Sequence, residues 1–287
     1  MGGLALRTGE CQSTTMSTGW VEVADRCFVR RYAEWDLSVT VVGGDHTSLV
    51  VDTRATARLG AELREQVAEL PVPPVGFVVN THVHFDHAWG NAAFTGLPVW
   101  AHENVLAGWD GHVERVRNSV RDSPTEDPAG HLLDTDLLRP DHTVTSVALL
   151  ELGARHVELV HPGRGHTDGD LVVVVPDADL LCAGDLVEQS GPLSYDSDSW
   201  PLEWPQTLEL LLGLMGDATV VVPGHGDRVG KDFILEQRLD AADIAGQIQQ
   251  LAGSGVPVDE ALERGTWPLA AEMLGDAVRR GYAQVGG

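Results

Sequence analysis

The feature that most constrains this chain is the stretch at residues 80–91, Asn-Thr-His-Val-His-Phe-Asp-His-Ala-Trp-Gly-Asn, directly after an apolar run at residues 75–79. It contains four side chains that bind metals: His82, His84, Asp86 and His87. Imidazoles and a carboxylate at the end of a buried strand are costly unless a cation neutralises them, so the stretch predicts a metal site. Alternate residues of an extended segment share one side, which predicts that the side chains at 82, 84 and 86 converge while His87 faces elsewhere. This arrangement favours two metals over one.

Three further candidate ligands occur later in the chain, each beside a glycine. His166 lies in the segment Gly-Arg-Gly-His-Thr-Asp-Gly-Asp at residues 163–170. Asp185 follows an apolar run at residues 180–183, and His225 follows another at residues 218–222. Glycine allows the close backbone approach that a crowded metal cluster needs.

These segments, in this order, resemble the motifs of the metallo-β-lactamase-fold hydrolases, whose signature is His-x-His-x-Asp-His after a strand, over about residues 20–227. The resemblance implies an α/β fold, a four-layer αβ/βα sandwich of the metallo-β-lactamase type. It implies two zinc ions, one held by His82, His84 and His166 and the other by Asp86, His87 and His225, with Asp185 bridging them. Iron and manganese accept similar ligands. Asp52 matches a residue that orients a ligand imidazole, although an Asp at a strand end can equally cap a turn.

The function implied by this resemblance is that of a dinuclear zinc-dependent hydrolase. A metal-bridging hydroxide would cleave an ester, thioester, lactone, amide or phosphoester bond of a small substrate. Asp86 is the candidate catalytic residue, because one of its oxygens can bind metal while the other faces the hydroxide. A true β-lactamase is disfavoured, since several of those subclasses lack an Asp at the position of Asp185.

Two alternatives remain open from the sequence. The first is a mononuclear iron dioxygenase or a di-iron redox protein on the same fold. The second is a binding module without activity, which a complete ligand set disfavours.

Candidate substrate contacts lie in the loops near the predicted ligands. Residues 190–205 follow Asp185 and carry Tyr195 and Trp200, which could wall a pocket. Arg164, close to His166, is a candidate partner for a substrate carboxylate, with a solvated loop arginine as the alternative.

Charge and cysteine content limit which partners and which cellular compartment fit this chain. The formal net charge is −24, which opposes a broad nucleic-acid-binding surface. Three cysteines without a Cys-x-x-Cys spacing favour a reducing compartment. With no apolar segment long enough for a membrane span and no signal-peptide pattern, we expect a cytoplasmic protein that binds a small molecule. The sequence leaves the oligomeric state undetermined.

The resemblance implies one metallo-β-lactamase-like hydrolase domain at residues 19–287, including C-terminal helices, and the composition predicts a disordered tail at residues 1–18. Among its elements are single strands at residues 21–29 and 143–150, a strand at 180–183 and a helix at 267–282.

Overall fold

The computed structural model describes residues 19–123, 127 and 130–286 of the 287-residue chain. The predicted disordered tail therefore lies outside the described residues. The strands are β1 (Val21–Ala24), β2 (Cys27–Arg31), β3 (Ser38–Gly43), β4 (Ser48–Val51), β5 (Val75–Val79), β6 (Val99–His102), β7 (His142–Val144), β8 (Val147–Glu151), β9 (His156–Val160), β10 (Val172–Val175), β11 (Leu180–Glu188) and β12 (Val220–His225). The α-helices are α1 (Ala57–Val67), α2 (Phe85–Ala88), α3 (Glu103–Asp122), α4 (Trp204–Gly213), α5 (Lys231–Gly253), α6 (Val258–Arg264) and α7 (Gly275–Gly286).

The first sheet has seven strands, β1 to β7, in chain order. Strands β1 to β4 pair antiparallel, whereas β4 to β7 pair parallel. The parallel part needs crossover connections, and α1 and α3 supply two of them. Because the carboxyl ends of parallel strands meet at one edge, the loop after β5 lies at the same edge as the residues after β4.

The second sheet has five strands in the order β12-β11-β10-β9-β8. Only the β11–β12 pair is parallel, and the other pairs are antiparallel. Strands β10 and β11 are almost entirely buried, which agrees with their continuous Val, Leu and Ala runs.

The two sheets pack face to face with helices on both outer sides. An apolar cluster that includes Val51 and Val79 of the first sheet and Leu159 and Val173 of the second fills the space between them. Leu63 of α1 packs on the outer face of the first sheet, and α4 and α5 cover that of the second. The predicted four-layer αβ/βα sandwich is confirmed.

Three predicted elements are divided in the structure. Residues 21–29 form a hairpin, not one strand, because the chain turns at Arg26, whose φ is +52°. Residues 143–150 split into β7 and β8, which belong to different sheets. Residues 267–282 do not form one continuous helix: α7 begins only at Gly275, after a 3₁₀ turn at Ala271–Met273.

The sheets also contact each other beside the candidate ligands, where the N-terminal end of β3 meets the C-terminal end of β12. Leu37 and His225 form an isolated antiparallel bridge, and the Ser38 hydroxyl donates to the Gly226 carbonyl at 2.8 Å. Across the part of the chain that the structure describes, none of the helices combines the length and apolar character needed to cross a membrane.

Candidate metal centre

The histidine-rich stretch leaves β5 as a short loop and then turns into helix. His84 lies at the N-cap of α2, which places Asp86 and His87 in its first turn. The expected alternation therefore holds only for His82 and His84, and the prediction that Asp86 points with them while His87 faces elsewhere is wrong. Helical backbone from Phe85 onward turns Asp86 and His87 toward a second group of ligands.

The seven predicted ligands come together as two adjoining groups. The first group contains His82, His84, His166 and Asp185, and the second contains Asp86, His87 and His225. In each group the candidate donor atoms lie within 4.8 Å of one another. All seven side chains are buried.

Asp185 lies between the two groups. Its Oδ2 is 3.3 Å from His166 Nε2 and 3.3 Å from His225 Nε2. Its Oδ1 is 3.2 Å from His87 Nε2. One carboxylate thus faces ligands of both groups, which is the position that a bridging ligand occupies.

Oxygen partners fix the outward nitrogen of four of the histidines. His87 Nδ1 donates to Asp52 Oδ2 at 2.8 Å, and His225 Nδ1 donates to the Trp35 carbonyl at 2.6 Å. His166 Nδ1 donates to the Ser194 carbonyl at 3.1 Å. In His84 the outward nitrogen is Nε2 instead of Nδ1, and it lies 3.4 Å from Asp198 Oδ2. In each case the other ring nitrogen keeps its lone pair for the centre.

His82 reaches the same state through Thr81. The Thr81 hydroxyl donates to Asp52 Oδ2 at 2.9 Å, so it must accept from His82 Nδ1, 3.1 Å away. His82 Nε2 is then a bare acceptor, and it is a buried atom without a hydrogen-bond partner among the described residues.

The donor set fits metal ions. His84 Nδ1 and His166 Nε2 are 2.9 Å apart, and His87 Nε2 and His225 Nε2 are 3.3 Å apart. Two imidazole lone pairs facing each other at these distances repel unless a cation or a proton lies between them. Three imidazoles around one position, and two imidazoles with a carboxylate around the other, are the donors that Zn(II) takes at catalytic sites.

The electrostatics of the second group also favour positive charge. Burial lowers the pKa of His87, but the carboxylates of Asp185 and Asp86 outweigh burial and raise it well above its ordinary value. Asp185 likewise overcomes the burial of His225 and raises its pKa to about 10. Burial opposes ionisation of Asp185, but the surrounding histidines, His225 foremost, hold its pKa well below the usual range.

Glycines allow the backbone to come this close to the centre. Gly184 has a φ of +54°, and a Cβ there would lie 2.7 Å from Thr81 Cβ. A Cβ on Gly224 would lie 1.8 Å from Asp185 Oδ1. Any larger residue at 224 would therefore displace the carboxylate that faces both groups.

A cavity of about 910 Å³ opens onto the centre. His84, Asp86, His166, Asp185 and His225 all form part of its lining. Trp35 and Phe85, whose rings are 5.3 Å apart, form an apolar wall beside them.

The three predicted substrate contacts lie outside the lining of this cavity. Tyr195 is buried against Trp204, with ring centroids 4.9 Å apart. Arg164 forms a two-point ion pair with Glu203 and stacks over Trp200 at 3.7 Å. Contact of Tyr195, Trp200 and Arg164 with a substrate stays a prediction that this geometry does not support, because none of the three lines the cavity.

Four residues of the cavity wall have no motif in the sequence: Glu188, His112, Arg115 and Asp198. His112 stacks on His84 at 5.0 Å, and its Nε2 is buried without a partner among the described residues. Arg115 pairs with Asp198, which in turn holds His84. Burial, followed by the charge of Asp185, raises the pKa of Glu188 to about 7. The one signal in the sequence was that Glu188 follows Asp185 by only three residues.

Comparisons with known proteins agree with this geometry. The profile of the metallo-beta-lactamase superfamily matches residues 34–248. The chain is 30% identical over 194 residues to a "Metallo-beta-lactamase type 2" of Bacillus cereus, covering 67% of each protein. It is 24% identical over 216 residues to the human "Acyl-coenzyme A thioesterase MBLAC2", covering 69% of this chain and 76% of the relative. A solved metallo-beta-lactamase structure from Pontibacter korlensis superimposes with a TM-score of 0.59 at 21% identity, over 78% of this chain and 97% of the other.

Proposed function

Because this chain belongs to the metallo-beta-lactamase superfamily, we propose that it is a dinuclear zinc-dependent hydrolase of a small organic substrate. The observation that carries the proposal is Asp185, one buried carboxylate in contact with histidines of two adjoining donor groups. The substrate bond would be an ester, thioester, lactone, amide or phosphoester. A small-molecule substrate, the absence of a nucleic-acid or membrane partner, and a cytoplasmic location remain part of the proposal.

Bound divalent ions would lower the pKa of a water molecule, so that hydroxide forms near neutral pH, and they would polarise the bond that it attacks. His82, His84 and His166 would hold one ion, and Asp86, His87 and His225 the other, with Asp185 shared. Asp52, Asp198 and the Trp35 and Ser194 carbonyls keep the ligand imidazoles in the tautomer that leaves a lone pair toward the centre.

Asp86 is the residue that would handle the proton. Its Oδ2 lies 3.4 Å from His225 Nε2 and 3.6 Å from His87 Nε2, so this oxygen belongs to the ligand group. The side chain also lines the cavity, where the other oxygen can accept a hydrogen bond from the attacking water.

A cysteine nucleophile does not fit the described residues. Cys27 and Cys182 are both buried away from the cavity, and burial raises the pKa of Cys27 to about 11 and of Cys182 to about 12. A thiolate is therefore scarce at neutral pH.

The proposal is tested by metal analysis and a substrate panel. Protein purified without added metal should contain two equivalents of zinc, and it should hydrolyse at least one member of a panel of chromogenic esters, thioesters, lactones, phosphodiesters and a cephalosporin. One tightly held iron would favour the dioxygenase alternative. Inertness of the zinc-loaded protein across the panel would contradict a hydrolase. Rapid turnover of the cephalosporin alone would identify a β-lactamase.

The substitution Asp185→Asn tests the bridge directly. An amide at this position removes the negative charge shared by the two groups, so we expect turnover to fall by more than about 100-fold. Loss of a residue that only orients a metal ligand typically costs about 10- to 100-fold. Far-ultraviolet circular dichroism should show an unchanged fold. Zinc content measured on the same sample should fall, and full activity with two bound zinc ions would remove Asp185 from the bridge.

A further inference from the structure

Glu188 brings a third carboxylate to the metal centre, in addition to Asp86 and Asp185. Strand β11 continues beyond Asp185, and Glu188 lies three residues further along the same strand, paired with His225 of β12. Its side chain is 5% exposed yet forms part of the cavity lining. Its carboxylate falls in a group with Asp185 and His225 whose donor atoms lie within 4.8 Å of one another.

The backbone of Glu188 is held in place, but its carboxylate is only half satisfied. Gln237 of α5 bonds both main-chain groups of Glu188, accepting from its N–H at 3.2 Å and donating to its carbonyl at 2.8 Å. Ser190 donates to Oε1 at 2.7 Å. Within the described residues, Oε2 has no hydrogen bond and Glu188 has no Lys or Arg partner. The His225 imidazole lies within 4.8 Å of this carboxylate, but it is a candidate metal ligand. A buried carboxylate with one oxygen unsatisfied is costly, so this position favours a further cation.

The adjoining metal site does not require Glu188 as a ligand. Asp86, His87 and His225 already offer that site the three protein donors of a typical catalytic zinc, and Asp185 adds a shared fourth. The open oxygen is then available to a group that enters through the cavity.

The rest of the cavity is also acidic. Asp196, Asp198 and Asp276 contribute to its walls. Arg115 is the one Lys or Arg among the described lining residues, and Asp198 already pairs with it. The whole chain carries a formal net charge of −24, which attracts cations and repels anions over longer distances.

We propose that Glu188 is a specificity-determining residue that binds a positively charged nitrogen of the substrate, close to the bond that is cleaved. This inference rests on the proposed hydrolase function and names its substrate class, small molecules with an ammonium group. The apolar wall of Trp35 and Phe85 would contact the uncharged part of such a substrate. Carboxylate- and phosphate-bearing substrates would be disfavoured.

The test uses hydroxamates, which anchor on zinc whatever bond the enzyme cleaves. The hydroxamates of β-alanine, butyrate and succinate have tails of similar length that end in an ammonium, a methyl and a carboxylate. Calorimetric titration of the zinc-loaded full chain should give the tightest binding for β-alanine hydroxamate and the weakest for the succinate compound. Glu188→Gln should lower the β-alanine to butyrate affinity ratio by on the order of 10- to 100-fold.

Glu151→Gln is the matched control, because it removes one negative charge from an exposed position on β8 and should leave the ratio unchanged. Three results would overturn the inference: a ratio that Glu188→Gln does not move, a wild-type preference for the succinate compound, or loss of a zinc equivalent in Glu188→Gln, which would make Glu188 a ligand. Preferential binding of the ammonium compound without turnover of any panel substrate would contradict the hydrolase proposal and leave the cation site in place.

Discussion

Asp52 holds two parts of the metal loop through one carboxylate. Its Oδ1 accepts from the Thr81 N–H at 2.8 Å, and its Oδ2 accepts from the Thr81 hydroxyl and from His87 Nδ1. The residue itself has a φ of +66°, a left-handed conformation that Asp and Asn tolerate better than most residues. The orienting role expected for Asp52 thus has the contacts that it needs, although its effect on metal binding stays a prediction.

Asp52→Asn should weaken metal binding at the His87 site without unfolding the protein. Asn keeps the left-handed backbone and the acceptor for Thr81 N–H, but its amide N–H then faces His87 Nδ1. The imidazole proton would move to Nε2, which faces the centre and could no longer bind metal. We expect one zinc equivalent to lose affinity by about 10- to 100-fold, measured by competition with a chromophoric chelator.

Asp217→Asn controls for a lost carboxylate, because Asp217 is 99% exposed and pairs only with Lys231 in the described part of the chain. Equal zinc affinities in the two variants and the wild type would show that Asp52 does not set the tautomer of His87.

At the scale of elements, α1 is locked to the metal loop by direct backbone contact. A Cβ on Gly60 would lie 2.3 Å from the Gly90 carbonyl, in the 3₁₀ helix Trp89–Phe94 that follows α2. A Cβ on Gly90 would lie 1.8 Å from the Thr53 carbonyl. The outer helix, the residues after β4 and the segment after the ligands therefore touch without intervening side chains.

Gly60→Ala should destabilise the protein because backbone atoms cannot move aside as a flexible side chain would. We expect a loss of about 1–3 kcal/mol in the free energy of unfolding, measured from urea denaturation of the zinc-loaded protein. Gly246→Ala, at an exposed position of α5 where an added Cβ meets nothing within 4 Å, should instead stabilise by about 0.5–1 kcal/mol. Similar effects of the two substitutions would contradict the close packing of α1.

At the scale of the whole molecule, the candidate ligands join the two halves of the sandwich. His82, His84, Asp86 and His87 follow strand β5 of the first sheet, whereas His166, Asp185 and His225 come from the second. Metal ions held between them would tie the sheets together at the edge where Leu37 and His225 pair. Metal binding should therefore contribute to stability as well as to chemistry.

Chelation should abolish activity and lower the melting temperature, and zinc should restore both. At free zinc about 100 times Kd, each site contributes about 2.7 kcal/mol, which for a chain of this size corresponds to a shift of roughly 5–10 °C per site. Magnesium should not substitute, since it prefers an oxygen-only octahedral shell. An unchanged melting curve after complete metal removal, confirmed by metal analysis, would show that the ligands do not hold the sheets together.

The sequence identified the fold class through the resemblance of its motifs to a known family, and it identified the seven candidate ligands. The pattern of strands and helices alone was compatible with the fold but did not select it. The ligands were accessible because metal donors must be His, Asp or similar residues, and because strand ends and neighbouring glycines mark where such residues can gather. The division of residues 143–150 between two sheets was not accessible, since no glycine or proline marks the crossing and only the sheet partners decide it. Likewise, Asp185 lies within β11, not after a strand ending at residue 183.

Only the tertiary structure decided the surroundings of the centre. Glu188 and His112 have no motif and reach the cavity because strand β11 and helix α3 converge on it. Tyr195 was placed near the ligands by sequence proximity, yet its ring packs into the core against Trp204. The ligands are recognisable locally because coordination chemistry restricts them to a few residue types. The cavity wall is set by contacts between residues far apart in the chain, which no local pattern encodes.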